Sequence, residues 1–218
     1  MDCKIVKVEQ GTEEWDALRR CRLTASRVAD VMAKKDTLRH QDYKRQKTLE
    51  LLGHISVEDN PEWFRHGREL EPVALSRYEY KYNVTIDHNV FLIHSKHDWM
   101  SCSPDGLVVV DGEYTQGVEM KCRKLYKNYR DAILRNKKYA AKGDLASCVE
   151  PGYRWQLQAS MWITGWDHWF YTNYYQDPAT GKWRLGRVAI PRDQALIDKI
   201  EMACMEFMME CYEAAGLA

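Results

Sequence analysis

The sequence predicts an α/β fold, a β-sheet flanked by α-helices, on three observations. A short apolar and mostly β-branched run, Leu107 to Val110, is followed by Asp111-Gly112 and by a second extended segment, Gly117 to Cys122; together they read as a β-hairpin. Further strand signals surround it at Val84 to His94, Trp99 to Cys102, Trp166 to Tyr175 and Lys182 to Ile190. Among these strands lie segments whose apolar residues recur at helical spacing.

In chain order, Gly11-Thr12-Glu13-Glu14-Trp15 opens a helix: Thr12 is a good N-cap and acids occupy the first turn. Trp15 and Leu18 share its inner face. Thr24-Ala25-Ser26 caps a second short helix through Met32, and Arg19, Arg20, Arg22 and Arg27 lie around it. Such arginines are often a solvated surface, but a serine at a helix start beside several arginines is also a way to hold a phosphate. Residues 34–46 are polar and basic, a loop entering a helix that ends at Leu52-Gly53, where glycine suits the C-cap. Asn60-Pro61-Glu62 starts a helix through about Tyr82, with Trp63, Phe64, Leu70, Val73, Ala74, Leu75 and Tyr78 on its apolar side. Glu71 on that helix matters only if the helix packs against the hairpin.

From Arg123 to Lys142 eight basic residues stand against the single acid Asp131, a run suited to tracking a phosphate backbone. Gly152 to Gly165 is a helix bounded by glycines, with Tyr153, Gln156 and Ser160 on one stripe; Gln156 and Gln158 cannot share a face. Asp177 to Gly181 is a turn between the last two strands. Pro191 to Ala215 is an amphipathic helix rich in Met and Cys.

At 218 residues the chain is expected to form one domain, 1–218. Lys and Arg together number 32, as do Asp and Glu, so the protein is not polybasic and any contact with nucleic acid has to come from a local patch. No stretch approaches the roughly 18 apolar residues of a membrane span, and the N-terminus lacks the pattern of a signal peptide, so a cytoplasmic location and no membrane partner are expected. The seven cysteines are scattered, without C-x-x-C, which fits buried thiols in a reducing compartment and argues against structural zinc or an iron–sulfur cluster.

The chemistry concentrates between Ser101 and Lys121. On a strand, Glu119 and Lys121 project to one face and Val118 and Met120 to the other. If Asp105 stands near the start of the partner strand, pairing brings its carboxylate beside Glu119. Two carboxylates repel unless a cation lies between them, and hard oxygen donors suit Mg²⁺ or Mn²⁺. E-x-K alone is more often a solvated strand face, and P-D-G a common turn. Their order and spacing resemble the core of the PD-(D/E)XK nuclease superfamily.

Over nearly its whole length the chain resembles the lambda exonuclease (YqaJ-like viral recombinase) family of phage. The resemblance is carried by EQGTEEWDALRRCRLTASRVADVMAK, GRELEPVA, SCSPDGL, GVEMKC and QLQASMWITG. It implies a restriction-endonuclease-like fold, with a central mixed β-sheet flanked by α-helices. It places the catalytic and metal-binding core on Asp105, Glu119 and Lys121, adds Glu71 and Gln156, and assigns the 5′-phosphate pocket to Arg19, Ser26 and Ser103. Two Mg²⁺ ions held by Asp105, Glu119, the Met120 carbonyl and Glu71 would activate water and stabilise the leaving oxygen, with Lys121 orienting or deprotonating that water. Arg123, Lys124 and Lys127 would meet the DNA backbone. The implied activity is 5′→3′ digestion of one strand of linear duplex DNA to mononucleotides, leaving a 3′ overhang for recombination in a bacterial host. The implied partners are duplex ends, a homotrimeric ring and a phage single-strand annealing protein. Segments 34–61 and beyond Arg123 do not match closely enough to place residues that split the duplex; Trp15 or Trp63 could stack on bases, but most of the tryptophans are expected in the core. An endonuclease of the same superfamily needs no terminal-phosphate pocket. A non-catalytic end-binding module would ordinarily have lost Asp105, Glu119 or Lys121.

Overall fold

The structure, a computed structural model, describes residues 3–55 and 62–217, with 62–68 as backbone. The chain runs β1 (Cys3–Lys7), α1 (Glu13–Arg19), β2 (Leu23–Thr24), a 3₁₀ turn (Ala25–Arg27), α2 (Val28–Val31), α3 (Leu38–Leu51) and α4 (Glu62–Tyr82). Then come β3 (Thr85–Asp87), β4 (Val90–His94), β5 (Met100–Cys102), β6 (Gly106–Val110), β7 (Glu113–Cys122) and α5 (Tyr126–Ala140). A second 3₁₀ turn (Leu145–Cys148), α6 (Pro151–Thr164), β8 (His168–Gln176), β9 (Trp183–Pro191) and α7 (Gln194–Ala214) complete it.

The α/β class holds: a mixed sheet is flanked by helices, and a second mixed sheet accompanies it. A four-stranded sheet has the order β1-β4-β5-β2, and a five-stranded sheet the order β3-β6-β7-β8-β9. Each contains one parallel pair, β2 with β5 and β7 with β8. Strands β1 and β2 were not foreseen from sequence. They are short and owe their conformation to pairing with β4 and β5 rather than to an internal pattern.

The expected loop at 34–46 is already helical from Leu38. The Thr37 hydroxyl accepts from the His40 N–H at 3.4 Å as the N-cap. His40, Tyr43 and Lys47 turn inward despite their polarity, which hid the helix from an apolar-spacing argument. Thr12 caps α1 as expected, accepting from the Trp15 N–H at 3.3 Å. Asn60 and Pro61, and the side chains of Trp63 and Phe64, lie outside the described residues.

The hairpin is as expected. Asp111 and Gly112 both have positive φ, 51° and 83°, which a two-residue turn matched to strand twist requires. The two faces of β7 then separate the work. Val118 and Met120 pack with Ala74, Leu75 and Tyr78 of α4, so that helix does lie against the hairpin. Glu119 and Lys121 face the other way, toward α6. At Gly117 the indole of Trp169 lies where a β-carbon would stand, so only glycine lets β7 and β8 pair here.

The largest apolar cluster joins α6 and α7 to the four-stranded sheet through residues such as Leu157, Met161, Ile200, Phe207, Leu92 and Met100. None of the seven cysteines is in a disulfide. Among the described residues, no helix is long and apolar enough to cross a membrane.

Candidate active site

The site is assembled at the junction of β6, β7, α4 and α6. Asp105 immediately precedes β6, whose first residue, Gly106, pairs with Val118. Its carboxylate therefore reaches the far strand, and Asp105 Oδ2 accepts from the Met120 N–H at 2.6 Å. Glu119 is 2% exposed. Its two oxygens are held separately: Lys121 Nζ lies 2.5 Å from Oε1, and Gln156 Nε2 donates to Oε2 at 2.7 Å. The Lys121 ammonium also sits 4.4 Å from the centre of the Tyr153 ring.

The α6 stripe thus behaves as its spacing requires. Tyr153 and Gln156 face β7, and Ser160 donates back to the Gln156 carbonyl at 3.0 Å. Gln158 points elsewhere, donating to the Pro191 carbonyl and accepting from the Asp193 N–H, both at 2.8 Å.

Charge is unevenly balanced here. Burial and the charges of Glu119 and Glu71 push the Asp105 carboxyl well above the usual carboxylate range, outweighing Lys121 and the Met120 N–H. Burial works to lower the Lys121 pKa, but Glu119 and Asp105 prevail and raise it, so the ammonium persists. Glu71 on α4 is close enough for its charge to act on both Asp105 and Cys122. The donor set is therefore hard oxygen, with an excess of negative charge at Asp105. Among the described residues no three His, Cys, Asp or Glu side chains gather tightly enough to enclose an ion by themselves. Mg²⁺ keeps several waters and takes only one or two carboxylates, so the hard oxygens of Asp105 and Glu119 suit that ion.

Of the three residues expected around a terminal phosphate, Arg19 and Ser103 are joined through one intervening side chain. Trp15 Nε1 donates to Ser103 Oγ at 3.0 Å, and the Arg19 guanidinium lies 4.2 Å from the centre of the Trp15 ring. Gln10 Nε2 donates to the same Ser103 hydroxyl at 2.9 Å. Ser26 Oγ is 3.2 Å from Thr24 Oγ1, at the start of the 3₁₀ turn. Trp15 therefore bridges Arg19 and Ser103 from the core side, 6% exposed. That burial places its ring among core residues, not on a stacking surface.

The basic run splits. Lys124 and Lys127 are exposed on the approach to α5 and on its first turn. Arg123 is turned inward. Its guanidinium donates to Glu150 Oε1 and Tyr171 Oη at 2.8 Å each, and to Asn173 Oδ1 at 2.7 Å. The Tyr171 hydroxyl donates in turn to Glu150 Oε2 at 2.6 Å. Sequence reasoning missed this network behind the site. The only available signal was one acid, Glu150, just before α6, and nothing in its spacing tied it to Arg123.

Comparison with known proteins gives the fold and the family. The chain is similar in structure to an alkaline exonuclease (LHK-Exo) from Laribacter hongkongensis, with 29% identity, a TM-score of 0.72, and coverage of 94% of this chain and 95% of that one. The same enzyme in complex with dAMP matches with 28% identity, a TM-score of 0.69 and the same coverage. A phage-related exonuclease from Haemophilus somnus 129PT shares the fold at 16% identity, a TM-score of 0.64, and coverage of 91% of this chain and 96% of that one. A search of the curated proteins finds no match. The YqaJ-like viral recombinase domain matches residues 14–167, more than half of the chain, and the protein therefore belongs to the YqaJ-like viral recombinase family.

Proposed function

We propose that this protein is a metal-dependent deoxyribonuclease that digests one strand of linear duplex DNA from its 5′ end to mononucleotides. The observation that carries this reading is the Asp105–Glu119–Lys121 cluster, closed by Gln156. Nuclease activity is supported by the family and by the alkaline exonuclease whose fold this chain shares.

A bound Mg²⁺ supplies an activated water and charge stabilisation for the leaving oxygen. The chain's own groups do the rest. Glu119 is locked in orientation by Lys121 and Gln156, and the Met120 N–H holds Asp105, so both carboxylates are preorganised before substrate arrives. Lys121 would orient or deprotonate the attacking water and offset phosphate charge. Arg19, Ser26 and Ser103 would receive a 5′-terminal phosphate. Such a phosphate carries a charge that an internal one lacks, so binding energy there selects the end. Lys124 and Lys127 would hold the duplex backbone in a salt-sensitive, sequence-independent way. Ring assembly as a homotrimer and delivery of the 3′ overhang to a phage single-strand annealing protein complete the proposal.

The test is nucleotide release from linear and covalently closed duplexes, with Mg²⁺ or with chelator. Release from linear DNA only, abolished by chelator and restored by Mg²⁺ or Mn²⁺, is the expected result. Cutting of the closed circle would replace the reading by an endonuclease.

A further inference from the structure

A second feature of the five-stranded sheet lies outside this site. Strand β9 is one of the sheet's two outer strands, and beside it opens a cleft of about 640 Å³ lined by Tyr80 and Lys81 of α4, Tyr129 of α5, and Trp183, Arg184 and Leu185 of β9. The volume is within the range of about 300–1,000 Å³ typical of small-molecule sites. Three of its six lining residues are aromatic, two are cations, and none is acidic.

The cleft is built. Lys81 Nζ donates to the Leu185 carbonyl at 2.5 Å, fastening the end of α4 to the sheet edge. The Arg77 guanidinium lies 5.6 Å from the centre of the Trp183 ring, and that of Arg184 lies 5.4 Å from the Tyr126 ring. Tyr126 and Tyr129 stack with centres 6.3 Å apart. Tyr80 is 79% exposed, so its ring is open to solvent.

Register fixes where the cleft stands relative to the chemistry. Leu185 pairs with Tyr174, and Tyr174 with Cys122, the residue after Lys121. The Leu185 backbone is thus level with Cys122, two strands away, or about 10 Å, with the Leu185 side chain on the α4 face of the sheet and the Lys121 ammonium on the opposite face.

Aromatic faces interleaved with cations suit bases that are unpaired and phosphates that accompany them. A duplex offers only its phosphates, because its base faces are already stacked. We propose that this cleft binds single-stranded DNA, holding unpaired nucleotides of the strand that is not digested; that choice of strand rests on the exonuclease reading above.

The experiment measures anisotropy of a fluorescent oligo(dT) in chelator, so that nothing is cut, with the wild type, Trp183→Ala, and the doubly substituted Tyr80→Ala/Arg184→Ala. The exposed pair can be changed without disturbing packing, and coincident thermal melts check this. Each aromatic removed is expected to weaken oligo(dT) binding roughly tenfold, with duplex binding and initial nucleotide release from a 5′ end unchanged. Unchanged oligo(dT) affinity in the double variant, or none in the wild type, would overturn the proposal. So would a change in sedimentation without a change in affinity, which would mean that another copy of the chain covers the cleft. If the wild type cuts no DNA yet loses oligo(dT) binding on substitution, the cleft stands and the exonuclease reading falls.

Discussion

Asp105 faces Glu119 across the β6–β7 hairpin because one residue between them, Thr115, is left out of the ladder. From the turn outward, Val110 pairs with Glu113 and Val109 with Tyr114, but Val108 then pairs with Gln116. That single shift carries Gly106 to Val118 and so sets Asp105 opposite Glu119. An unbroken ladder would set Asp105 opposite Val118, whose side chain points to α4, and the two carboxylates would lie on opposite faces. Deleting Thr115 is therefore expected to lower nucleotide release by at least about a hundredfold, because misplacement by about 1 Å already has such an effect. Circular dichroism and a thermal melt would confirm that the hairpin still folds. Full activity in a folded deletion variant would contradict the register argument.

Asp105→Ala and Lys121→Ala should each reduce cleavage on the order of a thousandfold. Duplex binding in a gel-shift experiment should stay within a few-fold of wild type, since phosphate contacts are spread over many residues. Parallel loss of binding and cleavage in Lys121→Ala would make that residue a DNA anchor instead.

The pocket prediction separates Arg19 from its support. Arg19→Ala should bring the rates on 5′-phosphorylated and 5′-hydroxyl ends toward equality. Trp15→Phe keeps a ring under the guanidinium but removes the hydrogen bond to Ser103, so it should give a smaller change of the same sign. A wild-type ratio in Arg19→Ala would remove the phosphate assignment.

A pH effect is expected far from the site. Hydrogen bonds from Lys35 and Lys44 lower Glu210 from 4.5 to about 2, tying α7 to α3 and the segment before it. A carboxyl lowered in the folded state stabilises the fold above its unfolded pKa and loses that contribution as pH falls from about 4.5 toward 2. The group is near the surface and screened, so Glu210→Gln should remove no more than about 1 kcal/mol at pH 7. Chemical denaturation at pH 7 and pH 3 checks this, and the difference between wild type and variant should shrink at the lower pH.

Much of this arrangement was legible in the sequence, and particular residues show why. Asp111-Gly112 and the parity of Glu119 and Lys121 are local features, and both held in the structure. The i, i+3 relation of Tyr153 to Gln156 likewise placed both toward β7. Thr115 was not legible, since a bulge depends on how two strands are each anchored elsewhere. Strands β1 and β2 were invisible for the same reason, being made by their partners. Arg123 read as one more member of a basic run. Only the fold brings Glu150, Tyr171 and Asn173 to its guanidinium.

The most direct test of the account is digestion of a linear duplex bearing different labels at its 5′ and 3′ ends, with Mg²⁺, on 5′-phosphorylated and 5′-hydroxyl substrates. The 5′ label is expected to leave first as mononucleotide, faster from phosphorylated ends, while the 3′ label stays on a lengthening single strand. Early release of the 3′ label, or equal rates from the two kinds of 5′ end, would contradict it.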